Sequence, residues 1–429
     1  MSPAFSSLRI RNYRLFAAGQ LVSLTGTWMQ RVAQDWLVLR LSDNSGVALG
    51  ITTGLQFLPL LLFGLYGGVL ADRYPKRRLL IIAQVAMGLL ALLLGVLDIT
   101  GVVSLWHVYA LAFGLGLASV VDTPTRQAFA VELVGKEELP NAVSLNSATF
   151  NSGRVLGPAL AGLLINAFGT GPVFLVNAAS FVAVLIGLLR IRPGELHTSR
   201  PIARAPGQLR AGLSYVRGRP ELLWPIVLVA IIGTFGLNFQ ITTALVAKLV
   251  FHRGAGSYGL LGTALAFGSL IGALLAARRG VPRQRLLLGA ALAFGLLEIA
   301  VGLMPTYNSF LLLLIPTGIA VLTFTTAANS TIQLASSAAM RGRVMALYVL
   351  VFLGGTPIGA PVIGWLASAY GPRWSLIGGG LVSAVATLAV GWALLRARQL
   401  RVVTRLHSRP HVSVEPVPEA TALDEARSA

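Results

Sequence analysis

Gly68-Val-Leu-Ala-Asp72-Arg73-Tyr74-Pro75-Lys76-Arg77-Arg78-Leu-Leu80 breaks two long apolar runs with one acid, four bases and a proline. The first run ends at Ala71 and the second begins at Leu79. Charge this dense between hydrophobic runs must lie in water, so the stretch reads as a tight turn between two membrane helices. Its excess of bases predicts the cytoplasmic side. Gly68 would let another backbone approach closely. Asp72 can accept hydrogen bonds from a guanidinium or a helix N-terminus. The same residues also suffice for a plain positive-inside anchor that only sets topology.

The rest of the 429 residues extends this pattern. The chain is 55% hydrophobic and 11% charged, with mean hydropathy +0.75, whereas soluble domains carry roughly 25% charge. Apolar runs of about 20 residues recur and alternating ten-residue segments do not, which predicts helices embedded in lipid rather than a transmembrane barrel. Six spans are expected at Tyr13–Leu39, Val47–Ala71, Leu79–Asp98, Leu105–Thr123, Ala142–Phe168 and Val173–Leu189. Six more are expected at Leu222–Lys248, Tyr258–Ala277, Leu286–Met304, Phe310–Leu334, Val344–Ala369 and Trp374–Leu395. The chain therefore divides into a six-helix bundle at 1–189, a polar linker at 190–220, a second bundle at 221–396 and a polar tail at 397–429 expected to be disordered. Gln208–Val216 suits an amphipathic helix on the membrane surface.

The net charge of +19 comes from short basic bursts between apolar runs. That is what topology requires, and it does not indicate nucleic acid. Bases gather at Arg9–Arg14, Arg73–Arg78, Arg126 with Lys136, the linker, Arg278–Arg285, Arg341 with Arg343, and the tail; the other side has Arg40, Lys248, Arg253 and Arg373. Both termini are thus expected in the cytoplasm. The N-terminal span is too long and too polar for a cleavable signal. With no cysteine and no metal signature among five histidines, no metal site is expected. Gly135-Lys136 lacks the spacing of a nucleotide-binding loop, so no cofactor and no enzyme activity are expected.

Two glycine ladders tie the halves together. Gly153-x3-Gly157-x4-Gly162-x6-Gly169 recurs in register as Gly355-x3-Gly359-x4-Gly364-x6-Gly371. The ladders occupy the fifth and eleventh spans, as two parallel repeats would. A degenerate copy of the charged turn occurs at Gly272–Arg279, with Ala276 in place of the acid.

Gly68, Leu70, Ala71, Asp72, Arg73, Lys76, Arg77 and Leu80 resemble the cytoplasmic loop motif of the major facilitator superfamily, with Pro75 where that family usually has glycine. Asn151-Ser-Gly153-Arg154-Val-Leu-Gly157-Pro158-Ala-Leu-Ala-Gly162 is similar to the fifth-helix motif of the superfamily's antiporters, which marks exporters. Leu139-Pro-Asn-Ala-Val-Ser-Leu-Asn146 strengthens the likeness to a bacterial branch that includes the enterobactin exporter and macrolide efflux proteins. The resemblance implies an all-α membrane protein of twelve transmembrane helices in two pseudo-symmetric six-helix bundles. It implies a monomeric, proton-coupled antiporter of the cell inner membrane that expels a small amphipathic drug or siderophore by alternating access. It further implies a latch in which Asp122 pairs with the bases of the Asp72 motif. Uptake of a metabolite, or a non-transporting scaffold, would fit the same spans.

Polar residues inside spans are the candidates for chemistry. Arg31 and Asp35 lie one turn apart on the first span, as do Gln30 and Gln34. Asp35 is the expected proton-exchanging carboxylate, helped by Arg31 or Arg154; the alternatives are a permanent Arg31–Asp35 pair and a structural ion pair for Arg154. Glu298, the only acid in the ninth span, is a weaker proton candidate with a structural role as its alternative. Gln56, Ser119, Asn146, Asn238, Gln240, Thr326 and Asn329 are candidate cavity residues, with Phe57, Phe235, Phe239 and Phe324 as an apolar wall.

Overall fold

Each apolar run becomes a helix. The computed structural model describes residues 3–197, 208–278, 284–397, 400–405 and 411–416. The first half comprises α1 (Arg11–Leu41), α2 (Gly46–Arg73), α3 (Lys76–Ile99), α4 (Leu105–Val134), α5 (Leu139–Phe168) and α6 (Thr170–Leu189). A linker helix, α7 (Gln208–Arg217), precedes the second half. There, α8 (Pro220–Phe235) and α9 (Phe239–Leu245) form one broken crossing that ends in a π turn at Val246–Val250. The chain continues through α10 (Ala255–Ala277), α11 (Gln284–Leu303) and α12 (Tyr307–Ala335). A second broken crossing, α13 (Arg341–Gly354) with α14 (Thr356–Tyr370), leads to α15 (Pro372–Ala397).

Ten crossings among the described residues are long and apolar enough to span a bilayer. The remaining two, α1 and α5, have 31 and 30 residues but carry the polar clusters. The broken crossings have local causes. Asn238 Nδ2 donates to the Thr234 carbonyl at 2.8 Å, taking an acceptor the helix would otherwise use. Gly355 and Pro357 interrupt the other crossing, where proline supplies no N–H.

The glycine ladders play matching parts. A Cβ at Gly153 would lie 3.2 Å from the α1 backbone at Leu24 and Thr25, and one at Gly157 would strike Trp28. In the second half, Gly355 and Gly359 press in the same way on Thr234 of α8. The third glycine of each ladder crosses to the other half. Gly162 meets Gly256 of α10, where an added Cβ would lie 2.8 Å from Cα, and Gly364 meets the Gly46 carbonyl of α2. The fourth glycines, Gly169 and Gly371, end their helices at φ +82° and +99°, where a side chain would be strained.

These crossings set the shape. Gly46 and Gly50 open α2, Gly364 lies late in α14, Gly162 late in α5 and Gly256 early in α10. All lie on the face opposite the one that carries the start of α1 and the end of α15. The halves are therefore sealed on this far face and parted toward the terminal face. Arg40 and Thr170 both bond the buried Asp98 there, joining the ends of α1, α3 and α6.

On the terminal face, the charged turn binds its own half. Lys76 Nζ lies 2.7 Å from Glu132 Oε1. Arg77 donates to the carbonyls of Leu188 and Leu189 at 2.7 and 2.9 Å, capping α6. The close approach expected of Gly68 is made by its neighbour: Gly67 is buried against the Val120 carbonyl of α4, and Gly68 is half-buried. The linker divides its attachments. His197 N–H donates to the Glu132 carbonyl, whereas on α7 the Tyr215 hydroxyl accepts from Ser337 N–H and Gly212 packs on Arg343. The tail departs from the expected disorder where β1 (Leu400–Arg405) pairs antiparallel with β2 (His411–Pro416). Valines in both segments, Val402 and Val403 in the first and Val412 and Val414 in the second, favour that pairing. Arg200, Arg204 and His407 lie outside the described residues.

Because the chain has no cysteine, a Ser330→Cys reporter gives a clean readout of the seal. Gly364→Val should cost the sealed face about 1–3 kcal/mol through overpacking. Labelling of Cys at position 330 by an impermeant maleimide should then rise from the far side; unchanged labelling would mean the seal does not depend on this contact.

Candidate functional site

Between the halves, on the terminal side of the seal, lies a cavity of about 700 Å³. Its walls come from α1, α2 and α5 of the first half and from α8 to α10 and α12 to α14 of the second. Much of the lining is aromatic, including Trp28, Phe57, Phe150, Phe239, Tyr348 and Phe352. Such a wall accepts apolar bodies of varied shape.

Asp35 stands at the roof, 1% exposed. Its Oδ2 accepts from Gln240 Nε2 at 2.7 Å and from the Tyr258 hydroxyl at 2.6 Å. Its Oδ1 has no hydrogen-bond partner. Tyr258 also stacks on Trp36, with ring centroids 6.2 Å apart. A carboxylate of the first half is thus held by two donors of the second. Hydrogen bonds to a charged group contribute about 1.5–3 kcal/mol each, so a change in charge at Asp35 bears directly on the seal.

The two arginines are placed differently from either ion-pair expectation. Arg31 makes no ion pair with Asp35, and Arg154 pairs with no carboxylate, among the described residues. The Arg31 guanidinium carbon sits 4.6 Å from the Trp28 ring centroid and 5.9 Å from that of Phe57; that of Arg154 lies 5.9 Å from Trp28. Both face the cavity. Cation–π attraction offsets part of their desolvation. Gln240 and Tyr258 hold Asp35 through Oδ2, while Arg31 packs on the aromatic rings.

Gln240, Asn238, Thr326 and Asn329 line the cavity. Thr326 bonds the Leu322 carbonyl of its own helix, and Asn329 accepts from Gln333 at 2.7 Å. Other candidates serve packing. Gln30 accepts from Asn177 of α6 at 2.5 Å, Gln34 donates to Gln56 at 3.3 Å, and Ser119 bonds the Leu115 carbonyl. Asn146 is half-buried on α5 outside the lining. Phe324 is fully buried in the core, and Phe235 is not in the wall. Glu298 lies against Gly379 between α11 and α15, buried and away from the cavity. Pro158 lines the cavity and packs its carbonyl on Gly259 across the seam.

The expected pairing of Asp122 with the bases of the charged turn is not made in this conformation. Asp122 lies 3.0 Å from Arg126 NH2 and accepts from Gln84 at 2.7 Å. Gln84 is two turns further along α3 than Arg77, so Asp122 sits too deep to reach the turn. Arg73 is exposed.

Sequence reasoning missed Tyr258, which lies 223 residues from Asp35. No local pattern marks that contact. Trp28 was within reach, since it stands one helical turn before Arg31.

The family model for transmembrane secretion effectors, a branch of the major facilitators, matches residues 2–428. The staphyloferrin A transporter of Staphylococcus aureus is 28% identical over 272 residues, covering 61% of this chain and 66% of that protein, just under two thirds of its length. The enterobactin exporter EntS of Shigella boydii serotype 18 is 28% identical over 363 residues, covering 82% of this chain and 85% of that protein. In fold, the chain is similar to a bacterial homologue of the human lysosomal transporter Spinster in an inward-facing, unoccupied conformation. The TM-score is 0.68 at 15% identity, over 92% of this chain and 98% of that one.

Tyr258→Phe keeps the stack on Trp36 and removes one donor to Asp35. It should weaken the seal by about 1.5–3 kcal/mol. A lower thermal midpoint together with more far-side labelling of the position 330 reporter is the expected result, and wild-type values for both would remove Tyr258 from the seal.

Proposed function

The chain belongs to the transmembrane secretion effector family of major facilitator transporters, and from that premise we propose that it is a proton-coupled exporter of a small amphipathic molecule. It is a multi-pass membrane protein. The excess of bases on the terminal face supports a cytoplasmic placement of that face and of both termini, with the cell inner membrane as its site. The cavity then opens to the cytoplasm, where an exporter loads. The glycine–proline motif at Gly153, Gly157, Pro158 and Gly162 supports export, and the likeness to the enterobactin exporter supports a siderophore or a drug as cargo.

The observation that carries the proposal is the grip on Asp35. In the loaded, cytoplasm-facing state the ionised carboxylate accepts from Gln240 and Tyr258 and holds the far face shut. Rocking of the loaded halves breaks that grip and opens the far face, where the freed Asp35 takes up a proton from outside; after the empty halves rock back, the proton leaves to the cytoplasm and the ionised carboxylate regains its two donors. Rocking of the halves exposes the cavity alternately to the two sides. The membrane potential contributes about 2.3 kcal/mol per charge per 100 mV to inward proton movement. The charged turn around Asp72 guards the cytoplasmic face and gains contacts with Asp122 when that face closes.

Purified protein in liposomes, given an imposed pH gradient and a panel of siderophores and drugs, tests this reading. Export of cargo against proton entry is expected, and Asp35→Asn should abolish gradient-driven flux while leaving cargo binding measurable. Full proton coupling in that variant would reject Asp35, and co-movement of cargo and proton would make the protein an uptake system. Asp72→Asn should insert normally but slow turnover; an unchanged rate would reduce the turn to a topological anchor.

A further inference from the structure

Arg31 and Arg154 are the charged residues among the described lining of the cavity, and no acid lines it with them. Neither has an ion-pair partner among the described residues, and Arg31 Nε is buried without a hydrogen bond. Both guanidinium groups lie within reach of one ring, Trp28. The nearest acid, Asp35, is turned to Gln240 and Tyr258 of the other half. Two cations have therefore been brought together inside a membrane protein with no acid in contact with either, Asp35 one turn away being held by the other half, which is costly unless a wet cavity or a bound anion adds to the balance.

We infer that this cavity seats an amphipathic anion, a carboxylate or similar acid on an apolar body, with Arg31 and Arg154 as its counter-charges and Trp28 against its apolar part. The inference rests on the cavity being the transport site. Guanidinium forks match a planar carboxylate in two-point contact. The aromatic wall of Phe57, Phe150, Tyr348 and Phe352 takes the apolar body. A lipophilic cation finds no carboxylate on the lining and is repelled by both arginines. The acid can belong to a soluble molecule or to a lipid headgroup.

The test compares three probes of one shape on the full chain with no pH gradient: naphthoate, uncharged naphthamide and cationic naphthylmethylammonium. Binding is read by titration calorimetry in phosphatidylcholine nanodiscs. Naphthoate should bind about tenfold or more tightly than either analogue. Arg31→Gln and Arg154→Gln should each reduce that preference about tenfold, and Arg154→Lys, which keeps the charge without the fork, should restore only part of it. Because the readout is a ratio between probes, a partly unfolded sample does not imitate the effect. Equal binding of the three, preference for the cation, or a preference unchanged in the double Gln variant would overturn the proposal. Phosphatidylglycerol in the disc separates the two sources. Competition with naphthoate makes an anionic lipid an occupant, no competition leaves the soluble acid, and both keep the anion seat. Proton-driven export without charge preference sinks this inference alone, and charge preference without export sinks the exporter reading alone.

Discussion

Main chain touches main chain where the two halves meet, and side chains are kept out of the way. Gly364 rides on Gly46, and Gly162 on Gly256, with Pro158 against Gly259 beside them. Within lipid there is little hydrophobic gain from pairing helices, so close packing of small residues must hold them together. Placing every such contact near one face leaves the other free to part. The cavity exists because of that asymmetry, and so does the alignment that brings Asp35 beneath Tyr258 and Gln240.

The symmetry of the ladders follows from the same constraint. In each half the first two glycines seat the helix on the crossing that opens that half, and the third reaches the opposite half. One sequence pattern therefore does two jobs on adjacent faces of a helix. A surface made of backbone has no rotamers to rearrange. That suits a joint that has to separate and close again without repacking a core.

Much of this could be read from the chain alone. Apolar run length exposes the crossings, and the burst at Asp72–Arg78 marks a turn, because both depend on local composition. The ladder at Gly153–Gly169 was legible as a repeat, since register survives in sequence. Its partners were not, because glycine carries no label for what it touches. Gly67 rather than Gly68 faces Val120, a one-residue difference that helix rotation decides and composition does not. Asp35 was visible as an acid in a span, but its donors come from helices that only tertiary packing brings near. One-turn spacing left a permanent Arg31–Asp35 pair open as an alternative, and sequence could not weigh against it the aromatic rings that take the guanidinium.

The two crossings too polar to pass as spans, α1 and α5, are also the two that seat on each other through Gly153 and Gly157. A cation at the centre of a helix costs about 2.5–3.5 kcal/mol to place in lipid. Neither segment is well suited to wait alone in the bilayer during synthesis. Each becomes comfortable only when its sister has arrived, so the first bundle has to mature as a unit, and its earliest-made helix depends on the fifth for a home.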